Sequence, residues 1–246
     1  MHIHTTPYGK CCIGEQSQLF HEAIKELAHA QSQKVPSLTV GLTGGSTPKA
    51  FYSWIVEHLA SLPQIQWGSI IWSVSDERLV PQESEESNFG NADRGLLSPL
   101  GIPNKAKVPW PTALDAAKAC ATFATNWEDR FGANAAFDCC FLGMGEDGHT
   151  ASLFPNSPLV KQPSEQTFAT IETAKGWRLT LTPKGIKRCS RIIVLVTGAA
   201  KATRLKTVLE GSFSPALQPI QLLRDCADQT IWLVDKAAAS MLQPLD

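Results

Sequence analysis

The chain has 246 residues, 43% of them hydrophobic and 18% charged, with a formal net charge of −1. That length admits one large core or two smaller ones, and the balance is that of an ordinary soluble globular enzyme. It excludes a field that would draw the whole molecule to nucleic acid or to an anionic membrane, so any bound anion is held locally.

No apolar run approaches the ~18 residues of a membrane span, and residues 1–10 lack a basic segment followed by an apolar core; a cytoplasmic protein is expected. The seven cysteines form two doublets, Cys11–Cys12 and Cys139–Cys140, plus Cys120, Cys189 and Cys226. Adjacent cysteines do not make ordinary disulfides, and no CxxC pair offers zinc spacing. Cys139 and Cys140 are expected as small buried hydrophobes. His2 and His4 fit one face of an N-terminal strand, as a metal pair would, but a frayed, solvated terminus is the simpler reading.

Residues 15–31 carry apolar side chains at Leu19, Phe20, Ala23, Ile24, Leu27 and Ala28, one face of a helix. A break at 34–37 precedes a short strand, Leu38–Leu42, and then Thr43-Gly44-Gly45-Ser46-Thr47-Pro48. Proline after Ser/Thr marks a helix start that residues 50–59 continue. Residues 70–75 form the next strand and run directly into Asp76-Glu77-Arg78. The polar stretch 81–91 is too long for a tight turn and reads as a functional or mobile loop.

A short helix at 94–100, a long one at 113–131 and a buried strand at 137–142 lead into the glycine-rich segment 143–155. The chain is then loop-like to about residue 165, with strands at 168–171 and, more clearly alternating, 177–182. Residues 191–196 make an apolar strand followed by Thr197-Gly198 and a helix over 199–209. Residues 213–223, with two prolines, are irregular, and 230–234 form the last strand before a short alanine-rich tail helix. Apolar strands alternating with helices describe an α/β protein: a mainly parallel, Rossmann-like sheet with helices on both faces, expected as a single domain over 1–246.

Four of these strands end in unusual residues: at 44–47, 76–78, 143–149 and 198–201. In a parallel sheet all four ends lie on one edge, where ligands bind at a topological switch point. The 43–48 turn has the makings of an anion cradle, with glycines for close approach, hydroxyl donors and a helix N-terminus. It lacks the Gly-Lys-Ser/Thr ending of a nucleotide P-loop. The plain alternative is an ordinary turn capped by Ser46 or Thr47. Lys201 in the first turn of a helix opposes the macrodipole, at a cost of roughly 0.3–1 kcal/mol unless an anion is there. Lys201, the Ser46–Thr47 turn and Arg78 can thus hold a phosphate group together; the alternative is a solvated lysine.

The segment GMGEDGHTASLFP at 143–155 follows a strand and places Glu146, Asp147 and His149 among Gly143, Gly145 and Gly148. Its glycines also satisfy G-x-G-x-x-G, but two carboxylates lie where a pyrophosphate would approach and no adequate helix follows before Pro155. An imidazole, titrating ordinarily near pH 6.5, can take a proton from water at neutral pH. Asp147 or Asp76 can orient His149 or act as a base directly; the alternative is a histidine that braces the loop.

These motifs resemble the 6-phosphogluconolactonases, within the wider group that includes glucosamine-6-phosphate isomerase/deaminase. The matching pieces are LTGGSTP (42–48), SDERLVP (75–81), SNFG (87–90), GMGEDGHTASLFP (143–155), RLTLTP (178–183) and VTGAAKA (196–202), in order along most of the chain. The deaminases read DEY at the second motif and Asn-Glu-Pro after DGH; here Arg78 replaces that tyrosine and Leu153-Phe154-Pro155 stand in place of Asn-Glu-Pro.

The resemblance implies hydrolysis of 6-phospho-D-glucono-1,5-lactone to 6-phosphogluconate in the oxidative pentose phosphate pathway, with neither metal nor cofactor. The implied catalytic group is His149, with Asp147, Asp76 and Arg78. Gly44, Gly45, Ser46, Thr47, Asn88, Arg178 and Lys201 are implied to bind substrate or its phosphate, Asn88 having as its alternative a brace for the long loop and Arg178 a solvated place on a half-buried strand. The expected partner is a small sugar-phosphate lactone, with no nucleic acid or membrane, for a monomer or small homo-oligomer. The competing readings are an isomerase/deaminase of amino-sugar phosphates and a non-catalytic sugar-phosphate sensor.

Overall fold

Among the residues described by the computed structural model (1–34, 36–162 and 164–243), seven strands bond into one sheet and three into a second. In chain order the elements are β1 (His2–Thr6), β2 (Gly9–Gly14), α1 (Gln16–Gln33), β3 (Leu38–Leu42), α2 (Ser46–His58), β4 (Ile70–Val74), β5 (Asp76–Arg78) and α3 (Asn88–Ala92). There follow α4 (Ala116–Phe131), β6 (Cys139–Gly143), α5 (Pro158–Lys161), β7 (Phe168–Thr173), β8 (Gly176–Leu181), α6 (Pro183–Lys187), β9 (Arg191–Val196), α7 (Ala202–Glu210) and β10 (Thr230–Asp235).

The large sheet runs β1-β2-β10-β9-β6-β3-β4 and is parallel apart from the antiparallel β1–β2 hairpin. Both faces are covered, so β3 and β4 are buried at every residue and are mostly apolar on both faces, with Thr39 and Ser73 the buried exceptions. From β2 to β3 to β4 the chain steps one way across the sheet; from β4 to β6, β9 and β10 it steps back. Right-handed crossovers therefore place α1 and α2 on one face and α4 and α7 on the other. Aromatic contacts agree: Phe20 of α1 lies 5.1 Å from Phe51 of α2, whereas Phe123 and Trp127 of α4 pack on Phe168 and Phe137. The small sheet, β5-β8-β7, is antiparallel.

The α/β class, the main strands and the long helices stand as the sequence predicts. Cys139 and Cys140 are fully buried, and burial pushes both thiols up. The same burial raises Cys11 to about 12.

Other expectations are corrected. The N-terminus is not frayed, because β1 pairs with β2 and Trp232 donates its indole N–H to Tyr8 O at 2.9 Å. Asp76–Arg78 is a strand rather than a strand end. A helix starts at Asn88, inside the stretch read as loop, and the segment expected as a helix at 94–100 opens with a π-turn, Asp93–Leu97. The helix expected to start at Pro48 begins two residues earlier, at Ser46.

The alanine-rich tail forms turns, because Asp235 accepts the N–H of Ala238 at 2.7 Å and ends the regular backbone there. Residues 213–223 are tied down at Ile220, whose N–H donates to Gly148 O at 3.0 Å, and at Gln221, which accepts from Ser214 N at 2.7 Å. The break at 34–37 includes Val35 and the loop before residue 165 includes Pro163; both lie outside the described residues.

Candidate active site

The four motif-bearing strands are consecutive neighbours, β9-β6-β3-β4, so their C-terminal ends meet on one edge. The chain reverses its direction across the sheet between β3 and β6, the switch point where crevices open. A cleft of about 210 Å³ lies there. Gly44, Gly45, Ser46, Thr47, Asp76, Arg78, Asn88, His149 and Lys201 all line it; Asp147 and Arg178 do not.

One wall is the β3–α2 turn. Gly45 stands at φ +112°, a backbone conformation a side chain would strain, and is itself the N-cap of α2. No side chain caps this helix, which corrects the reading of Ser46 or Thr47 as a cap. Thr47 Oγ1 instead meets Thr197 Oγ1 at 2.6 Å, tying the turn after β3 to the turn after β9. The α2 N-terminus is therefore left with its first-turn N–H groups and partial positive charge for a ligand. Lys201, at the start of α7, has Glu146 Oε1 at 3.8 Å as its ion partner.

Arg78 and Arg178 stand directly opposite each other in the β5–β8 register. Their hydrogen bonds go to backbone carbonyls, of Glu86 at 2.6 Å and Trp177 at 3.4 Å. Arg178 is buried, not solvated, and its desolvation, followed by the Arg78 charge, lowers its guanidinium pKa. Two guanidinium groups beside one cleft, bonded to carbonyls, suit an anion with more than one negative charge.

The opposite wall is the 143–149 loop. His149 Nδ1 lies 2.5 Å from Asp147 Oδ1, which also accepts the His149 backbone N–H at 3.1 Å. A carboxylate there makes Nδ1 the protonated nitrogen and leaves Nε2 with its lone pair free. Burial raises the Asp147 pKa, but the backbone N–H and the imidazole of His149 outweigh it and hold the carboxyl below its ordinary range. Phe154 flanks the imidazole, ring centroids 4.9 Å apart. Of the two acids expected to serve His149, Asp147 is the one in contact; Asp76 Oδ2 accepts from Ser152 Oγ at 2.7 Å.

Gly145 is what lets the imidazole sit so close to the backbone: a Cβ there would lie 2.0 Å from His149 Nδ1 and 2.6 Å from Asp147 Oδ1. Gly145→Ala is expected to swing the half-exposed imidazole aside with little loss of stability, while kcat falls by about 100-fold, the cost of a misplacement near 1 Å. Steady-state kinetics with a thermal melt checks both parts.

Asn88 lies between the walls. Its Nδ2 donates to Asp76 O at 2.9 Å, and its Oδ1 would be 2.0 Å from a Cβ on Gly44. Glu77, between two predicted site residues, is given no role of its own by the sequence. Its buried carboxylate accepts Arg78 N and Asn88 N, both at 2.7 Å, Phe89 N at 2.8 Å and Ser87 Oγ at 3.0 Å. Burial raises its pKa, and those four donors pull it back. Ser152, which holds Asp76, and Thr180, whose Oγ1 accepts Ser152 N at 3.1 Å, were likewise missed. Their signal is present as hydroxyls within the TASLFP and RLTLTP motifs, Thr180 near the end of β8.

The family described as glucosamine-6-phosphate isomerases/6-phosphogluconolactonase matches residues 15–232. A 6-phosphogluconolactonase of Synechocystis sp. is 33% identical over 212 residues, 84% of this chain and 85% of that protein. One of Bos taurus is also 33% identical over 212 residues, 83% and 80% of the two chains. The solved 6-phosphogluconolactonase from Trypanosoma cruzi superposes with a TM-score of 0.81 at 27% identity, covering 98% of this chain and all of that one. The chain belongs to the glucosamine-6-phosphate isomerase/6-phosphogluconolactonase family.

Proposed function

We propose that the chain hydrolyses 6-phospho-D-glucono-1,5-lactone to 6-phosphogluconate, the lactone-opening step of the oxidative pentose phosphate pathway. The observation that carries this is the Asp147–His149 pair, whose imidazole lines a cleft together with Lys201, an uncapped helix N-terminus and Arg78. The substrate's phosphate sits against Lys201 and the Gly44–Thr47 turn, with Arg78 adding positive charge from the cleft lining and Arg178 from behind it.

His149 Nε2 takes a proton from water as the water oxygen bonds to the lactone carbonyl carbon. Negative charge collects on the carbonyl oxygen, stabilised by Arg78 and loop N–H groups. When the tetrahedral adduct collapses, the ring C–O bond breaks and the imidazolium returns its proton to the departing ring oxygen. Asp147, behind the imidazole and outside the cleft, fixes its tautomer and stabilises the imidazolium. Asn88 and Asp76 meet the sugar hydroxyls.

The deaminase reading is disfavoured by residue 154, a phenylalanine beside His149 where ring opening of an amino sugar needs a proton-transferring glutamate. Assays of the purified chain decide between them. Acid release from the phosphorylated lactone, above its spontaneous rate, with no ammonia from glucosamine 6-phosphate is the expected result; ammonia release overturns it. Lys201→Met is expected to raise KM about 10–100-fold, the worth of one charge-assisted hydrogen bond, with a smaller change in kcat. Equal KM in the variant removes Lys201 from the phosphate site.

The enzyme works in the cytoplasm as a monomer or small homo-oligomer on this small-molecule substrate. Among the described residues, no helix is long and apolar enough to cross a membrane.

A further inference from the structure

The turn that carries Asp147 is gripped from behind by residues outside its own motif. Arg204, one turn into α7, donates its Nε–H to the carbonyl oxygen of Glu146 at 2.9 Å. The stem of the same side chain lies over Gly148: a Cβ there would come within 3.3 Å of Arg204 Cδ and of Gln218 Cα. From the other side, Ile220 donates its N–H to Gly148 O at 3.0 Å. Both neighbours of Asp147 are thereby fixed, and the Asp147 carboxylate in turn receives the N–H and imidazole of His149. Lys201, which lines the cleft, stands one turn before Arg204 at the head of the same helix.

We infer that Arg204 is a positioning residue for the reaction: it sets the Glu146–Gly148 turn so that Asp147 meets His149, and it fixes that pair relative to Lys201. The inference rests on the reading of His149 as the base. A guanidinium fits the task because its Nε–H points in a fixed direction from a stem that at the same time covers Gly148. Arg204 itself is outside the cleft lining and touches no substrate.

Arg204→Met keeps the stem and removes the donor; Arg204→Lys keeps a donor. In the whole chain, Arg204→Met is expected to lower kcat about 10-fold with KM within about twofold, the signature of lost geometry rather than lost binding. Hydrogen–deuterium exchange is expected to quicken over residues 143–150, whose Gly145 and Gly148 N–H groups are bonded within the turn, and not over the rest of the sheet. Arg204→Lys is expected to restore most of both.

Unchanged kcat and exchange in Arg204→Met overturn the proposal. So does a loss of kcat with exchange raised across the whole chain and no recovery in Arg204→Lys, which marks a purely structural role. Exchange needs no substrate, so failure of the wild type to open the lactone sinks the functional reading separately from the Arg204 result.

Discussion

His149→Ala lowers kcat for opening of the phosphorylated lactone by about 10²–10⁴-fold, the usual worth of a positioned general base, while affinity for 6-phosphogluconate stays within about threefold. The split follows from the geometry. The imidazole lines the cleft, but its bonds are to Asp147 and not to Lys201 or the α2 N-terminus, the groups that would hold phosphate. Its partly exposed ring lies tilted against Phe154 and carries no buried network, so truncation leaves the fold intact. Stopped-flow assays for turnover and calorimetry for product binding check the two halves. A variant that binds less tightly yet turns over normally would make His149 a ligand of the substrate, not its base.

Glu77→Gln destabilises the protein by about 1–3 kcal/mol and lowers Tm by roughly 2–12 °C, the range for leaving buried donors without an acceptor in a chain of this size. Glu77 is 1% exposed, and both its oxygens accept two donors each. Glutamine keeps one acceptor oxygen and turns an NH₂ toward two donors, leaving buried N–H and O–H groups without partners. The damage then spreads to the site. Glu77 holds the backbone of Arg78 on one side and of Asn88 on the other, and both line the cleft. A rise in KM is therefore expected together with the fall in Tm measured by calorimetry. An unchanged melt would mean that Ser87, Asn88 and Phe89 find other acceptors.

The site was legible where its residues are local to a strand end. Leu38–Leu42, Ile70–Val74, Cys139–Gly143 and Arg191–Val196 are mostly apolar runs, each followed within two residues by glycines, charges or hydroxyls, and the parallel sheet gathers them. What the sequence hid depends on partners far along the chain. The helix Asn88–Ala92 is too short to announce itself by periodicity, and its N–H groups are met by Glu77, eleven and twelve residues earlier.

The N-terminal hairpin is held by β10 at the other end of the chain, and its register sets Cys12 against Leu233. Arg178 reads as a half-buried strand residue until β5 places Arg78 opposite it. Arg204 reads as an ordinary polar position of an amphipathic helix; only the fold brings it to Glu146, 58 residues away. Local propensity cannot carry such information, because the competing term is tertiary contact.

The most direct test of the account compares 6-phosphogluconolactone with its unphosphorylated counterpart, following ring opening by the purified chain with spontaneous hydrolysis subtracted. The account predicts clear acceleration of the phosphorylated lactone and little of the other, because the cationic wall acts through the phosphate. Binding of the phosphorylated sugar acid with no rate above background would contradict it, and would make the cleft a sugar-phosphate receptor instead of an active site.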